Sequence, residues 1–338
     1  MTNDEFDVSP SSFVIRHSSF VIRHSSDCLI VAPPSPVTTH PTLRPSPLRV
    51  WLQLFRAPNL FTVPGDPLAG FLLANGSDID RTLVFAIVAS LCFYAAGLLM
   101  NDLADEAEDL RERPSRPLPS RAVGRRSVWV VMTLLCVAGF GALAACRQPA
   151  VLAAGGALLG AIALYNWVTK SWPVVGAINM GLCRSLSLML GGFVGPRADG
   201  QTAQIAAVGF GLYIAAVTNL ARHETRDRAP VLARLLPIIV LALTAAYGIV
   251  NAGYAPDKTP AIMLYALVVA EVLCLAVEMF LKPVPLPPFI GAHIRALLLL
   301  QAATCYIAEP TEFGIWAAGA LLCFWPVSRT VGRWFYAS

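Results

Sequence analysis

Long apolar segments, separated by short polar loops, make up most of this chain from residue 49 onward. A transmembrane α-helix needs about 20 consecutive apolar residues to cross the hydrocarbon core of a bilayer. The pattern therefore predicts an all-α protein, a polytopic transmembrane helical bundle of nine or ten spans. The ten candidate spans are 51–74, 82–100, 127–146, 149–168, 173–194, 203–221, 230–252, 260–281, 288–307 and 313–332.

Composition and charge agree with this class of protein. The chain is 56% hydrophobic and only 14% charged, whereas roughly a quarter of the residues of a soluble domain are charged. Most Lys and Arg residues fall in the loops of one side, which predicts that this side is cytoplasmic. We expect a bacterial cytoplasmic membrane protein whose active site faces the cytoplasm, and the net charge of +4 gives no indication of nucleic-acid binding. The basic residues of the opposite side are Arg81, Arg147, Arg197 and Lys258.

Residues 1–48 differ from the rest of the chain. The heptapeptide SSFVIRH at residues 11–17 is repeated without change at 18–24, and a stretch rich in Pro, Ser and Thr follows. Arg and His interrupt the apolar residues too often for a signal peptide. We expect residues 1–48 to be a disordered, low-complexity extension without function, followed by one transmembrane domain at residues 49–338. Translation from a start codon assigned too early would also give an extension of this kind.

Acidic residues gather where the second predicted span ends. Asp102, Asp105 and Asp109 are spaced i, i+3 and i+7, so a helix that continues through them places all three on one face. Such carboxylates repel each other unless a cation lies between them, and Mg²⁺ usually takes one or two protein carboxylates together with phosphate oxygens. Arg113 and Arg116 follow at once and are able to bind the same phosphates. The pattern predicts a site for Mg²⁺ and diphosphate, and a solvated helix end is the plainer alternative.

A second charged loop follows the sixth predicted span. Asn219, His223 and Asp227 recur every four residues, with Glu224 beside them. We expect Glu224 to be the essential acid of this loop, Asp227 to be secondary, and Asn219 to contribute neutral coordination or hydrogen bonds. His223 is better suited to act as a base on a second substrate than to bind Mg²⁺, because imidazole prefers softer metals. An ordinary charged loop is the alternative.

Polar residues also lie within the apolar segments. Arg184 falls well inside one span, where a charge is costly unless it faces a polar cavity or an ion-pair partner. Glu271 and Glu278 are the candidates for such a partner, and Asn59 and Asp66 are expected to face one cavity. Further candidates for substrate binding are Tyr165, Lys170 and Asn179.

The run N-D-x-x-D-x-x-x-D at residues 101–109, followed by R-P-S-R-P-L-P-S at 113–120, resembles the first signature of the UbiA-type membrane prenyltransferases. The polar residues at 165–184 resemble those that the family places before its second aspartate motif. The resemblance implies a helical bundle around a cytoplasm-facing, lipid-accessible cavity, where two acidic motifs hold Mg²⁺ and an isoprenoid diphosphate. It implies Asp102, Asp105 and Asp109 as metal ligands. Taken together with the residue patterns described above, it leads us to expect catalytic roles for His223, Glu224 and Asp227. The expected substrate-binding residues are Asn59, Asn101, Arg113, Arg116, Tyr165, Lys170, Asn179, Arg184 and Asn219.

The chain departs from the family pattern at three positions. Asn219 and His223 stand where the second motif has aspartates, and Arg121 replaces the glycine usual after Pro-Ser. A catalytically inactive homologue is therefore one alternative. A secondary transporter is the other, although its polar residues would lie near the bilayer midplane, whereas these acids cluster at one membrane face.

The favoured interpretation is a prenyltransferase that works among membrane lipids. It predicts Mg²⁺-dependent transfer of a prenyl group from an isoprenoid diphosphate to a small acceptor, either aromatic or a sugar or polyol phosphate. Bound Mg²⁺ and the basic side chains would stabilise the diphosphate as it leaves. We expect no nucleic acid and no obligate protein partner.

Overall fold

The computed structural model describes residues 46–195, 201–224, 229–252, 259–281 and 286–335, and all regular secondary structure in these residues is helical. This confirms the predicted all-α bundle. The helices are α1 (Pro47–Leu54), α2 (Ala57–Leu60), α3 (Gly65–Asn75), α4 (Arg81–Glu112), α5 (Arg125–Ala145), α6 (Pro149–Trp167), α7 (Pro173–Gly192), α8 (Gln201–Ala221), α9 (Val231–Ala252), α10 (Thr259–Leu281), α11 (Pro287–Ala308) and α12 (Glu312–Phe335), with a 3₁₀ turn at Thr169–Ser171.

Eight of the described helices, α4 to α11, are long and apolar enough to cross a membrane. They coincide with eight of the ten segments predicted from the sequence. Helix α12 has 24 residues, which is sufficient length for a span, but it is not among the eight apolar helices. The chain is thus a polytopic helical protein, and the count of nine or ten spans stays a prediction. Most of the extension predicted at residues 1–48 lies outside the described residues.

The first predicted span, 51–74, is wrong as a single helix. It consists of three short helices, α1 to α3, of 8, 4 and 11 residues. Arg56 between the first two adopts a left-handed backbone with φ 42°, and Pro58 and Pro64 follow. Proline lacks a backbone N–H and disfavours helical geometry in the residue before it. The break places Asn59 and Asp66 on different helices.

Helix α7 packs closely against α3 and α8, because glycines allow these neighbours to approach its backbone. A Cβ atom at Gly191 would overlap the carbonyl oxygen of Pro67 in α3, and one at Gly181 would overlap that of Gly211 in α8. Small residues of this kind give the close van der Waals contact that holds membrane helices together. The packing buries α7 deeply, and it brings Arg184 against α3.

Helix α4 continues without interruption from its apolar part through the acidic cluster. Its 32 residues begin after Asp80, whose side chain accepts a hydrogen bond from the backbone N–H of Thr82 at 2.8 Å. Arg113 ends the helix directly before Pro114, consistent with the restriction that proline places on the preceding residue. The predicted continuation of the helix through the three aspartates is confirmed.

Candidate active site

The first two aspartates of α4 are held by basic side chains from two other parts of the chain. Lys170, in the turn between α6 and α7, donates to Asp105 Oδ1, and Asn101 Nδ2 donates to Asp105 Oδ2 at 3.0 Å. Arg56 Nη2 lies 3.8 Å from Asp102 Oδ1. Burial lowers the pKa of Lys170, while the neighbouring carboxylate favours the charged ammonium. Each of these two carboxylates therefore faces one positively charged side chain.

The third aspartate has a different environment. Asp109 accepts two hydrogen bonds from Arg116 Nη1, at 2.9 and 2.8 Å, and its side chain is only 7% exposed. The pair ties the loop after α4 back to the last turns of the helix. In this arrangement the Asp109 carboxylate and the Arg116 guanidinium are bonded to each other. The role of Asp109 as a metal ligand therefore stays a prediction, and so does the role of Arg116 in binding phosphate.

The loop after α4 contains one of the departures from the family pattern. Arg121 adopts φ 58°, a left-handed conformation that glycine reaches freely and other residues adopt at a cost. A glycine would reach this backbone conformation without strain, which accounts for the glycine that the family pattern has here.

The second charged loop meets the first one. Glu224 Oε1 lies 3.3 Å from Arg113 Nη2, and both side chains are more than a third exposed. This ion pair brings the loop after α8 close to the loop after α4. Such proximity is required if the two charged loops contribute to one site. Asn219 and His223 lie at the same end of α8 and are half-buried. Asp227 lies outside the described residues.

The polar residues around the α6–α7 turn support the position of Lys170. Asn179 is buried, and its Nδ2 donates to Thr169 Oγ1 at 2.9 Å and to the carbonyl of Ala161 at 3.2 Å. These bonds fasten the turn that carries Lys170, so the structure gives Asn179 a place behind the site. Tyr165 is half-buried near the end of α6.

Arg184 is paired with a residue that the sequence analysis did not assign to it. Its Nε lies 2.7 Å from Asp66 Oδ2, and its Nη2 donates to the Thr62 carbonyl at 2.6 Å. The expectation that Glu271 or Glu278 is its partner is wrong, because α3 and not α10 packs on this face of α7. Gln301 of α11 completes the cluster, and its Nε2 donates to Asp66 Oδ1 at 2.7 Å.

The two polar partners of this cluster, Thr62 and Gln301, were missed by the sequence analysis. Gln301 is completely buried in the apolar helix α11. In the sequence, a polar amide inside a predicted apolar span was the signal that indicated a buried polar contact. The Arg184 guanidinium is engaged by Asp66 and Thr62 within the protein, so its predicted contact with substrate stays a prediction. Asn59, in α2, is half-buried.

The model of the UbiA prenyltransferase family matches residues 67–307, which include both charged loops and all eight apolar helices except the end of α11. The chain belongs to the UbiA prenyltransferase family.

Two curated relatives of this UbiA chain are digeranylgeranylglyceryl phosphate synthases of archaea. The protein of Natronomonas pharaonis is 29% identical over 253 residues, covering 67% of this chain and 84% of the relative. The protein of Methanopyrus kandleri is 28% identical over 181 residues, covering 53% of this chain and 63% of the relative.

Solved structures show the same UbiA fold. A UbiA homologue from Aeropyrum pernix K1 matches with a TM-score of 0.60 at 16% identity, covering 72% of this chain and 96% of the homologue. A homologue from Archaeoglobus fulgidus, bound to GPP and Mg²⁺, matches with a TM-score of 0.53 at 18% identity, covering 77% and 99%.

The donor set of this UbiA chain fits Mg²⁺ in one specific way. Among the described residues, no three His, Cys, Asp or Glu side chains form a ready-made metal site. Asp102 and Asp105, one helical turn apart and partly exposed, offer hard oxygen donors at the site. Mg²⁺ is commonly bound by one or two carboxylates, with substrate phosphates and water completing its octahedron. The residues therefore fit a metal that binds together with a diphosphate.

Proposed function

We propose that this UbiA prenyltransferase moves a prenyl group from an isoprenoid diphosphate to the hydroxyl of a polyol phosphate, with Mg²⁺ held by Asp102 and Asp105. The observation that carries the proposal is the grouping of these carboxylates with Lys170 and Arg56 at the end of an apolar helix. Each of the two carboxylates lies within 4 Å of a positively charged side chain. Carboxylates attract Mg²⁺ and basic side chains attract phosphate, so the arrangement suits a diphosphate with bound Mg²⁺ better than Mg²⁺ or diphosphate alone.

Basic side chains at the site would hold the diphosphate. Lys170 and Arg113 are 27% and 38% exposed, and each is joined to a single carboxylate, so both are accessible to phosphate oxygens. Mg²⁺, when bound, supplies further positive charge to the leaving diphosphate. Stabilising the charge that develops on the leaving group lowers the barrier to breaking the allylic C–O bond.

The second loop is placed to serve the acceptor. As the allylic C–O bond breaks, its electron pair leaves with the diphosphate, and the acceptor hydroxyl oxygen forms a new bond to the allylic carbon. The hydroxyl proton then has to reach a base. We assign that role to His223, because imidazole is the side chain best suited to taking up a proton near neutral pH. Glu224, which is paired with Arg113, would orient the acceptor or its bound ions, and Asn219 in the last turn of α8 would assist it.

The relatives support the class of acceptor. Both curated relatives described above are named for a product in which glyceryl phosphate carries two geranylgeranyl groups. The second loop is also poorer in aspartates than the family pattern, with Asn219 and His223 in their place. We therefore favour, among the acceptors considered, a glyceryl phosphate that already bears one prenyl chain.

The same loops support an active site on the cytoplasmic side. Arg56, Arg113 and Lys170 belong to the side on which most Lys and Arg residues fall, and cytoplasmic loops carry this excess.

The proposal is tested with purified protein in lipid nanodiscs. Radiolabelled geranylgeranyl diphosphate and Mg²⁺ are supplied with either a monoprenylated glyceryl phosphate or a hydroxybenzoate. We expect label in the diprenylated glyceryl phosphate and none after addition of EDTA. Transfer to the hydroxybenzoate alone would overturn the acceptor, and transfer that survives EDTA would overturn the metal. Absence of transfer to both acceptors would favour the inactive homologue.

A further inference from the structure

Helix α12 lies beyond the part of the chain that matches the family model, which ends at residue 307. It nevertheless packs on α2, the four-residue helix next to the candidate active site. Ser328 Oγ donates a hydrogen bond to the carbonyl oxygen of Pro58 at 2.8 Å. The rings of Phe324 and Phe61 lie 5.4 Å apart. Both contacts join α12 to α2 and to the residue that ends it.

The α2 segment needs such contacts to keep its place. A helix of four residues is too short to be stable by itself, and the left-handed Arg56 before it breaks its continuity with α1. Ser328 is completely buried, so its hydroxyl has exchanged water for the Pro58 carbonyl. A buried hydrogen bond across 270 residues of sequence fixes the position of α2 against α12.

The residue that precedes α2 faces the site. Arg56 immediately precedes it, and its guanidinium lies 3.8 Å from the Asp102 carboxylate. Asn59 is within it. Because the energy between two charges depends on their separation, a shift of α2 changes how Arg56 acts on Asp102 and on any diphosphate bound there.

We propose that Ser328 is a positioning residue, through which α12 sets the place of Arg56 and thereby the affinity for an isoprenoid diphosphate with Mg²⁺. The proposal rests on the function proposed above. It assigns to the last helix a part in substrate binding, although none of its described side chains contacts the aspartates of α4 in the ion pairs and hydrogen bonds of the site.

The test compares two hydroxyl deletions in one helix. Ser328→Ala removes the bond to Pro58, whereas Thr330→Ala removes an exposed bond to Pro326 within α12 itself. Binding of geranyl diphosphate with Mg²⁺ is measured by calorimetry in detergent micelles. We expect Ser328→Ala to weaken binding twofold or more, up to a ceiling of about fivefold, which corresponds to the loss of one net hydrogen bond. The Thr330→Ala protein should bind as the wild type does.

A double-mutant cycle separates positioning from general loss of structure. If Ser328 acts through Arg56, Ser328→Ala adds nothing to the weaker binding of Arg56→Ala, whereas independent effects multiply. We also expect KM for the diphosphate to rise more than kcat falls. Multiplying effects, or binding unchanged in Ser328→Ala, overturns the proposal.

Two further outcomes are covered by the design. If Ser328→Ala does not fold, Phe324→Leu loosens the contact with Phe61 while keeping an apolar side chain, and the same cycle with Arg56→Ala applies. Wild-type protein that binds geranyl diphosphate but transfers nothing contradicts the proposed function and leaves the positioning result standing. Wild-type protein that does not bind the diphosphate overturns both.

Discussion

The buried pair of Asp66 and Arg184 should be the most sensitive electrostatic contact of the bundle. Asp66 is completely buried and the Arg184 side chain is 9% exposed. Asp66 is the only acidic group within ion-pair distance of Arg184 in the part of the chain that the structure describes. Asp66→Asn keeps the shape of the side chain and removes its charge. The guanidinium then stays inside the protein without a counter-ion.

The expected cost follows from this environment. Removing one partner of a buried ion pair destabilises a protein by about 3–5 kcal/mol, whereas replacing both partners with neutral groups of similar volume is often nearly neutral. The double variant Asp66→Asn with Arg184→Met should therefore be more stable than Asp66→Asn alone. A neutral hydrogen bond between membrane helices is a suitable control. Ser90→Ala breaks the 2.7 Å contact with Ser187 and should cost only about 0.6 kcal/mol.

The assay is equilibrium unfolding in mixed micelles with increasing SDS, followed by tryptophan fluorescence. We expect the unfolding free energy to fall for Asp66→Asn by several times the loss in Ser90→Ala, and to recover in the double variant. The reasoning would be refuted if Asp66→Asn matched Ser90→Ala. It would also be refuted if the double variant were as unstable as the sum of the two single changes, because the cost would then come from packing and not from an unpaired charge.

Three further outcomes are expected. Asp105→Ala should lower prenyl transfer by at least about a hundredfold without loss of folded protein; nearly full turnover in that variant would remove Asp105 from the metal site. In steady-state kinetics, Glu224→Gln should lose most prenyl transfer, and His223→Ala should reduce turnover of the acceptor more than binding of the diphosphate. A fully active Glu224→Gln variant together with an inactive Asp227→Asn variant would reverse the roles assigned to these two acids. Deleting residues 2–44 should change neither membrane insertion nor transfer, as membrane fractionation and the labelled assay can show.

The sequence predicted those parts of the fold that depend on local pattern. The apolar segments located the eight spans from α4 to α11, and the i, i+3, i+7 spacing placed three aspartates on one face of a helix that does continue through them. Both predictions rest on hydrophobic length and helical period, which neighbouring elements alter little.

The pairing of distant residues was beyond such a pattern. Arg184 was recognised as a costly intramembrane charge, but its partner depends on which helix packs on α7, and Asp66 is 118 positions away in the sequence. The break of the first span was also missed. Its hydrophobic content suits a span, and Pro58 and Pro64 were the local signals for ending a helix there.

The length of α4 determines the depth at which the chemistry takes place. At about 1.5 Å per residue, its 32 residues extend about 48 Å, compared with about 30 Å for the hydrocarbon layer. Asp102 lies about 32 Å from the start of the helix by the same rise, and the later acids lie further along. A helix that crosses the hydrocarbon layer upright from its first turn would carry Asp102 to the level of the lipid headgroups, where ions stay hydrated, and would leave its apolar turns level with the acyl chains. An isoprenoid diphosphate entering from the bilayer would then reach the proposed metal site with its hydrocarbon chain still among the acyl chains and its phosphates at the headgroups.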